Sequence, residues 1–437
     1  MGKPEVNPTF KNSQIVKYKP LLGIMYLLLL IKCFLLILLS STVSGKKHLC
    51  NLLPKEKEAV FNARKIISNR DKVVSSTKPL LCVTFISLEN KKSVQNAKEN
   101  IRYSNGKCEW LLVSYTDFNS DTQFDELREN SGIEATAPKG STQVRIVRPF
   151  NDTRGNYYRG VIVKPVMIVF LLPFIKSYSK VWLLDEDISI TGFNFDSYFS
   201  AWNCMFDKSF PPPAITQPLV ENSFLPPFRA TCWTMFNNSI MGFKYSWIEQ
   251  QSPILDSTFL SWYIESFLSA VLETYVETKS DMGYQMLWCG AAKLWNSVLS
   301  DTFHDSLEDL EHPKNPPCAV VVADTRVLHK DYRTIVEWHS KKRDFIHHGI
   351  TAMSKIKSFF RNFYNDAYFD TSFMDSENWY YRHSGTCNAA EFLGNVTTQI
   401  GVYSSDTINS FKDSSCKIIG YKEKRCQAHW NSTHNMN

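Results

Sequence analysis

The sequence predicts an α/β fold, a Rossmann-like and mostly parallel sheet flanked by helices, and three observations carry that prediction. Apolar strand-like runs alternate with helix-like segments from Leu80 onward, the order that builds parallel sheets with crossover helices. Hydrophobic residues make up 43% of the chain and aromatic residues 14%, which suits a packed core and not a disordered chain. The strongest strand signal, Val181-Trp182-Leu183-Leu184, ends abruptly on Asp185, Glu186 and Asp187, at the place where an open α/β sheet binds its ligands.

At 437 residues the chain has room for one large domain with appendages. Met1 to Pro20 is polar, with Lys3, Lys11, Lys17 and Lys19 against the single acid Glu5. Leu21 to Val43 is apolar over about the length that crosses a bilayer as a helix. Lys32 interrupts it, at a cost of about 2.5–3.5 kcal/mol on insertion scales that the surrounding leucines offset. The run exceeds an ordinary signal-peptide core, so a retained single-pass type II anchor is expected. The small residues from Ser40 to Gly45 leave cleavage as the alternative.

A Golgi or ER location with the bulk of the chain lumenal follows from that anchor and from two further features. Of eleven cysteines Cys33 falls in the anchor, and the even remainder is compatible with disulfides of open connectivity. Four glycosylation sequons follow, at Asn151, Asn237, Asn395 and Asn431. The net charge is +6, but its lysines and arginines are scattered, which argues against nucleic acid as a partner.

Taken in order, residues 1–20 read as a cytosolic tail, 21–43 as the anchor and 44–78 as a stem; a first helix packed on the main domain is the alternative for this last segment. The main domain spans 79–336. Leu80 to Ile86 predicts a buried first strand, Asn90 to Tyr103 a polar helix broken at Asn105-Gly106, Glu109 to Tyr115 a second strand, and Gln143 to Val147 a third. Lys164 to Tyr178 predicts a buried helix that Pro165 suits at its first turn and Pro173 kinks. Asp196 opens a helix running to about Met205. Ala214 to Pro218 is a candidate edge strand, Ser257 to Tyr275 a long apolar helix, and Cys318 to Asp324 a last buried strand. Residues 337–437 read as a small extension stapled by Cys387, Cys416 and Cys426.

Three acids at the mouth of a buried strand are costly unless a cation or solvent receives them. Asp185 and Asp187 offer hard oxygen ligands to Mn²⁺ or Mg²⁺, which in turn grips a diphosphate; a solvated turn is the plain alternative. Asp117 at the second strand's end, Glu186 between the two aspartates, and Arg159 and Lys164 ahead of the acidic strand are further polar candidates at that crevice, to which the resemblance described next gives contacts with a nucleotide donor. To Gln217 and Glu249 the same resemblance gives acceptor hydroxyls, against ordinary rim polar residues. To Trp233, Trp247, Trp262, Trp288 and Trp295 it gives stacking on sugars, against filling the core. There is no Gly-x-Gly-x-x-Gly, Walker loop, Gly-x-Ser-x-Gly elbow or Cys-x-x-Cys pairing, so dinucleotide, P-loop, hydrolase-elbow and zinc readings lack support.

The order of pieces resembles the GT-A fold of nucleotide-sugar-dependent glycosyltransferases: acids on a sheet edge, a later acid at a helix start, a histidine after a final strand. More narrowly, VWLLDEDISITGFNFDSYFSAW, WIEQQSPILDS with the later KSDMGY, and AVVVADTRVLH are similar to blocks of the eukaryotic domain-of-unknown-function-707 family of suspected glycosyltransferases. The resemblance spans roughly Leu80 to Tyr332 and implies a GT-A-like catalytic domain. It implies His329 as a third metal ligand beside Asp185 and Asp187, against an ordinary structural histidine. It implies Asp281 as general base on the acceptor hydroxyl, against a helix N-cap. The expected activity is metal-dependent transfer of a sugar from a nucleotide-diphosphate donor to a glycan or other hydroxyl acceptor, inversion being the working assumption. A non-catalytic lumenal carbohydrate-binding or scaffolding protein is the alternative, and a metal-dependent phosphodiesterase a third.

Overall fold

The computed structural model describes residues 53–70, 78–115, 121–137, 143–149, 164–199, 212–221, 242–244, 248–280, 283–303, 318–330 and 342–364. Its spine is a nine-stranded sheet. In chain order the strands are β1 (Lys78–Ile86), β2 (Glu109–Ser114), β3 (Val144–Val147), β4 (Tyr178–Asp185), β5 (Ile188–Ser189), β6 (Ile215–Glu221), β7 (Gly242–Lys244), β8 (Ile254–Asp256) and β9 (Cys318–His329). Across the sheet they lie β3-β2-β1-β4-β8-β6-β9-β5, with β7 also paired to β9.

The first half, β3-β2-β1-β4, is parallel throughout, as the alternating pattern predicts. The second half is mixed, which corrects the mostly parallel expectation. β8 enters antiparallel between β4 and β6, and β5 and β7 both run antiparallel to β9. β6 is also no edge strand: it is hydrogen-bonded on both sides, by β8 and by β9. Pro218 carries no N–H for such a ladder, and the register with β9 shifts between Pro218 and Leu219, the irregularity at which a proline is tolerated inside a sheet.

The helices on either face follow from capping and punctuation. α1 is Pro54–Arg70, α2 is Lys91–Ser104 and α3 is Asp121–Ser131. Asn90 caps α2 by accepting from Lys92 N at 3.0 Å and Ser93 N at 3.4 Å, and Asn105 ends it in the left-handed region at φ 40°. The apolar segment before the acidic strand is interrupted at Leu171 into α4 (Lys164–Phe170) and α5 (Leu172–Ile175), where Pro173 can donate no helical hydrogen bond. The strand then begins at Tyr178, three residues before the Val181 start of the apolar run. Asp256 caps α6 (Ser257–Tyr263), which passes through a π-helical turn (Ile264–Leu268) into α7 (Ser269–Thr278). α8 (Trp288–Phe303) and α9 (Lys342–Phe363) follow among the described residues.

Two terminal segments belong to this body and not to its surroundings. Within the stretch read as a stem, α1 buries Ala59, Val60 and Ala63, and its Ala59 carbonyl accepts from Trp262 Nε1 at 2.7 Å. Within the stretch read as an extension, α9 buries Ile356 and Phe360, and the Phe360 ring stacks on Phe267 at 6.1 Å between centroids. Gly283 (φ 100°) faces α9 so closely that a Cβ there would come within 3.1 Å of Met353 Cγ, so both backbone and space call for glycine.

Cys82 is bonded to Cys108 and Cys289 to Cys318, two disulfides among the described residues. Trp262, Trp288 and Trp295 are core residues, which removes them from the sugar-stacking candidates; Trp233 and Trp247 lie outside the described residues. So do the anchor, Cys387, Cys416 and Cys426, and most of the helix expected from Asp196, of which residues up to 199 are helical. Among the described residues no helix is long and apolar enough to cross a membrane.

Candidate functional site

β4 delivers its acids from deep inside the sheet. Val181, Trp182, Leu183 and Leu184 are buried between β1 and β8, and Trp182 Nε1 donates to Ser252 Oγ at 2.9 Å. Beyond β8 the antiparallel pairing continues irregularly: Leu183 N donates to Pro253 O at 2.9 Å and Asp185 N to Gln251 O at 3.1 Å. Asp185 therefore leaves the sheet with its backbone fixed, and the turn 186–187 returns the chain into β5.

That turn is gripped from the side by α2. Asn96 Nδ2 donates to Glu186 O at 2.8 Å and Ile188 O at 2.9 Å. One helical turn on, Asn100 Nδ2 donates to Ile188 O at 2.8 Å while its Oδ1 accepts from Ile190 N at 2.9 Å. Both asparagines are buried, and their spacing of four puts them on one face of the helix. Reading α2 as a merely polar helix misses them. The available signal was two amides at that spacing beside Ala97 and Ile101. We expect Asn100→Ala to cost about 2–4 kcal/mol, because it strands a buried N–H and weakens support for a buried carbonyl. Urea unfolding measures this, and a loss under about 1 kcal/mol would rule out the clamp.

Glu186 faces away from its neighbours' work. Its Oε2 accepts from Ser87 N at 3.0 Å and its Oε1 from the Tyr115 hydroxyl at 2.6 Å. Burial first, and then the charge of Glu186, push the Tyr115 hydroxyl well above the ordinary phenol range, so it stays a proton donor to that carboxylate. Both oxygens thus accept a hydrogen bond that ties the turn to β1 and to the end of β2.

The long return from β9 brings His329 to the acids. β5 pairs antiparallel with β9, Ile188 opposite His329, and Lys330 N donates to Asp187 O at 2.8 Å. His329 Nε2 lies 3.0 Å from Asp187 Oδ2, both side chains being largely buried. The next residue, Lys330, reaches Glu99 of α2 at 2.8 Å, and this hydrogen bond is the first cause that holds the Glu99 carboxyl below its usual range.

Asp185 turns to a different partner. Its carboxylate meets the ammonium of Lys164, the first residue of α4, which also approaches Gln250 O at 3.5 Å. Side-chain exposures of 13% for Lys164 and 23% for Asp185 make this a shielded pair. The predicted trio is therefore split into Asp187 with His329 and Asp185 with Lys164. Among the described residues no group of three His, Cys, Asp or Glu side chains is placed to hold a metal.

The Asp187–His329 pair fits an ion of the expected kind. Their 3.0 Å separation is that of an imidazole–carboxylate hydrogen bond, and the fit lies in the chemistry of the two donors. A carboxylate with an imidazole suits Mn²⁺, and ions of this class commonly take one or two protein ligands and draw the rest from phosphate and water.

Gln217 and Glu249 do come together, but in the interior and not on a rim. Gln217 Oε1 accepts from Glu249 N at 2.8 Å, and both residues are buried. Gln217 Nε2, and Oε1 of the neighbouring Gln250 and Gln251, are buried without a hydrogen-bond partner. Asp281, Asp117, Arg159 and the sequons at Asn151, Asn237, Asn395 and Asn431 lie outside the described residues.

No family model matches the chain, and no curated protein matches it. Its motif resemblance to the domain-of-unknown-function-707 family thus has no support from that side. Among solved structures the chain is similar to the mannosyltransferase PcManGT of Pyrobaculum calidifontis in complex with GDP-Man and Mn²⁺, at 10% identity and TM-score 0.36 over 87% of this chain and 94% of that one. It is similar to the galactosyltransferase LgtC in complex with donor and acceptor sugar analogues, at 13% identity and TM-score 0.30 over 63% and 95%. Core-mannan synthase A of Aspergillus fumigatus in its Mn/GDP form matches at 11% identity and TM-score 0.25 over 45% and 66%. All three scores fall below 0.5, so the likeness carries no argument about activity, and function has to be reasoned from the residues themselves.

Proposed function

We propose that this chain is a glycosyltransferase that takes a nucleotide-diphosphate sugar as donor and a hydroxyl group as acceptor. The observation that carries the reading is the meeting of Asp187 and His329, residues 142 apart in sequence, 3.0 Å from each other at the carboxyl end of a buried strand. A bound Mn²⁺ or Mg²⁺ would supply charge neutralisation to the departing diphosphate. Asp187 and His329 would hold that ion, with the turn kept in place by Asn96 and Asn100. Lys164 adds a second positive charge beside Asp185. Oε1 of Gln250 and of Gln251, without a hydrogen-bond partner on the segment that pairs with the end of β4, are suited to accept from sugar hydroxyls, and Gln217 fixes that segment through Glu249 N. Asp281 is proposed as the base on the acceptor hydroxyl, with inversion of configuration, on the strength of the KSDMGY motif. A type II anchor in the Golgi or ER membrane, with the catalytic part lumenal and glycosylated, is proposed from the N-terminal sequence and the sequons.

The test is nucleotide-sugar hydrolysis and transfer by the purified protein, with Mn²⁺, against a panel of nucleotide sugars. Release of nucleoside diphosphate from one donor supports the reading; no release and no affinity for any nucleoside diphosphate overturns it. One observation favours the second reading, a non-catalytic carbohydrate-binding protein: an ammonium sits on Asp185 where a catalytic divalent ion would be expected. Glycan affinity without nucleotide affinity is the result that reading expects.

A further inference from the structure

Four large apolar side chains stand exposed among the described residues, and three of them belong to α1 and the end of α9: Leu53 just ahead of α1, Phe61 on it and Phe363 on α9. We propose that this surface rests on the bilayer that holds the chain's own N-terminal anchor, with Phe61 at the level of the lipid headgroups and the basic residues around it on their phosphates. The inference rests on the anchor of the proposed reading and adds to it which side of the domain faces the membrane.

The helix itself builds this face. α1 turns Glu56, Ala59, Val60 and Ala63 inward. Phe61 points the other way and is 68% exposed, which leaves an apolar ring in water. Lys57, one helical turn before it, and Arg64 and Lys65, one turn after, surround the ring on the same face. Lys55, Lys57, Arg64 and Lys65 are all exposed, against Glu58 as the exposed acid, which lies 3.2 Å from Lys55. α9 packs on α1. Burial, and then the charges of Glu58 and Glu56, push the Tyr364 hydroxyl above the ordinary phenol range. The end of α9, with exposed Arg361 and Phe363, therefore lies beside the first turns of α1.

Chain length and charge both select lipid as the occupant. Residues 44–53 span at most about 35 Å fully extended, so an anchor ending at Val43 holds the start of α1 near the bilayer, and Phe61 lies about 10 Å farther along the helix. Cations ringed around an aromatic side chain suit a headgroup layer: the ring and the lysine stems lie against apolar matter while the charged ends stay at the phosphates. A second copy presenting the same face would set cation against cation. The anchor also makes a weak contact sufficient, because it already supplies a high effective concentration.

The full chain, reconstituted into phosphatidylcholine vesicles containing phosphatidylinositol, tests this with Phe61→p-benzoylphenylalanine as the photoreactive probe. Tyr103→p-benzoylphenylalanine is the control. Tyr103 is the fourth exposed ring and sits in the last turn of α2. The β1–β2 and β3–β4 crossovers run in opposite directions across the sheet, so right-handed connections put α2 on one face and α4 and α5 on the other. α1 belongs with α5, since α6 packs on both. After irradiation, position 61 is expected to carry about tenfold more lipid adduct than position 103. Lys57→Glu is expected to lower the adduct at position 61 by about tenfold. Equal adducts at 61 and 103, on protein that floats with the vesicles, overturn the proposal and leave the anchor standing. An adduct unchanged by Lys57→Glu overturns the headgroup contact. Cross-links from position 61 to a second copy, or to residues 365–437, in place of lipid overturn it in favour of a protein occupant. A chain that does not float with vesicles loses the anchor and the face together. Release of nucleoside diphosphate from a sugar donor, measured on the same protein, stands or falls separately, since no part of the transfer reading involves α1.

Discussion

Asp187→Ala is expected to lower metal-dependent turnover by at least about 10³-fold, with little change in the unfolding midpoint. The magnitude follows from the several kcal/mol that a positioned cation contributes to a developing charge, at about 1.4 kcal/mol per decade. Asp187 is the carboxylate that meets the imidazole: its Oδ2 faces His329 Nε2 at 3.0 Å. The variant's fold should survive, because the turn is held through the backbone of residues 186, 188 and 190 by Asn96 and Asn100, and not through the Asp187 side chain. Turnover with added Mn²⁺, followed by released nucleoside diphosphate, gives the answer. Activity within tenfold of the unaltered protein would remove Asp187 from the metal site.

The largest effect on stability is expected from Trp182→Ala, about 3–5 kcal/mol. The indole is fully buried on the acidic strand, its ring 4.5 Å from that of Phe193 and 5.9 Å from that of Phe195 between centroids. Its loss opens a cavity and also strands Ser252 Oγ, which now receives the indole N–H at 2.9 Å. Ser252 belongs to the segment whose neighbours Gln251 and Pro253 anchor the backbone of Asp185 and Leu183. Activity should therefore fall alongside stability, and Trp182→Phe should recover most of the packing but not the hydrogen bond. Equilibrium unfolding in denaturant, with m-values compared, checks this. A loss below about 1.5 kcal/mol would show that the strand does not depend on the indole.

What the sequence made readable, and what it hid, divides along the range of the interactions. The first three strands, the capped helix from Asn90 and the break at Pro173 are local matters of apolar runs, caps and missing N–H groups, and the structure has them within a few residues of expectation. The order of the second half of the sheet was not readable, because β8 is only three residues long and no periodicity marks its direction. Ala214 to Pro218 read as an edge strand, but the register shift beside Pro218 lets a proline sit inside the sheet.

The site shows the same division. Asp185 and Asp187 were legible as acids ending a buried strand, and the motif resemblance pointed to His329. The partners that decide what each acid does were not legible. Ser87 and Tyr115 take Glu186, Asn96 and Asn100 take the turn, and each is separated from its partner by 71 to 99 positions. Lys164 looked like one surface cation among many, since nothing in its neighbours announces the carboxylate it meets.

The placement of α9 bears on what a recombinant fragment must contain. Phe360 and Tyr364 lie against Phe267, with centroids 6.1 and 5.1 Å away, and Met353 closes over Gly283. A polypeptide stopped at residue 336 would leave those apolar surfaces wet and is expected to aggregate on expression, whereas one that retains α9 should stay monodisperse by size-exclusion chromatography. A recombinant fragment that keeps the sheet therefore needs this helix with it.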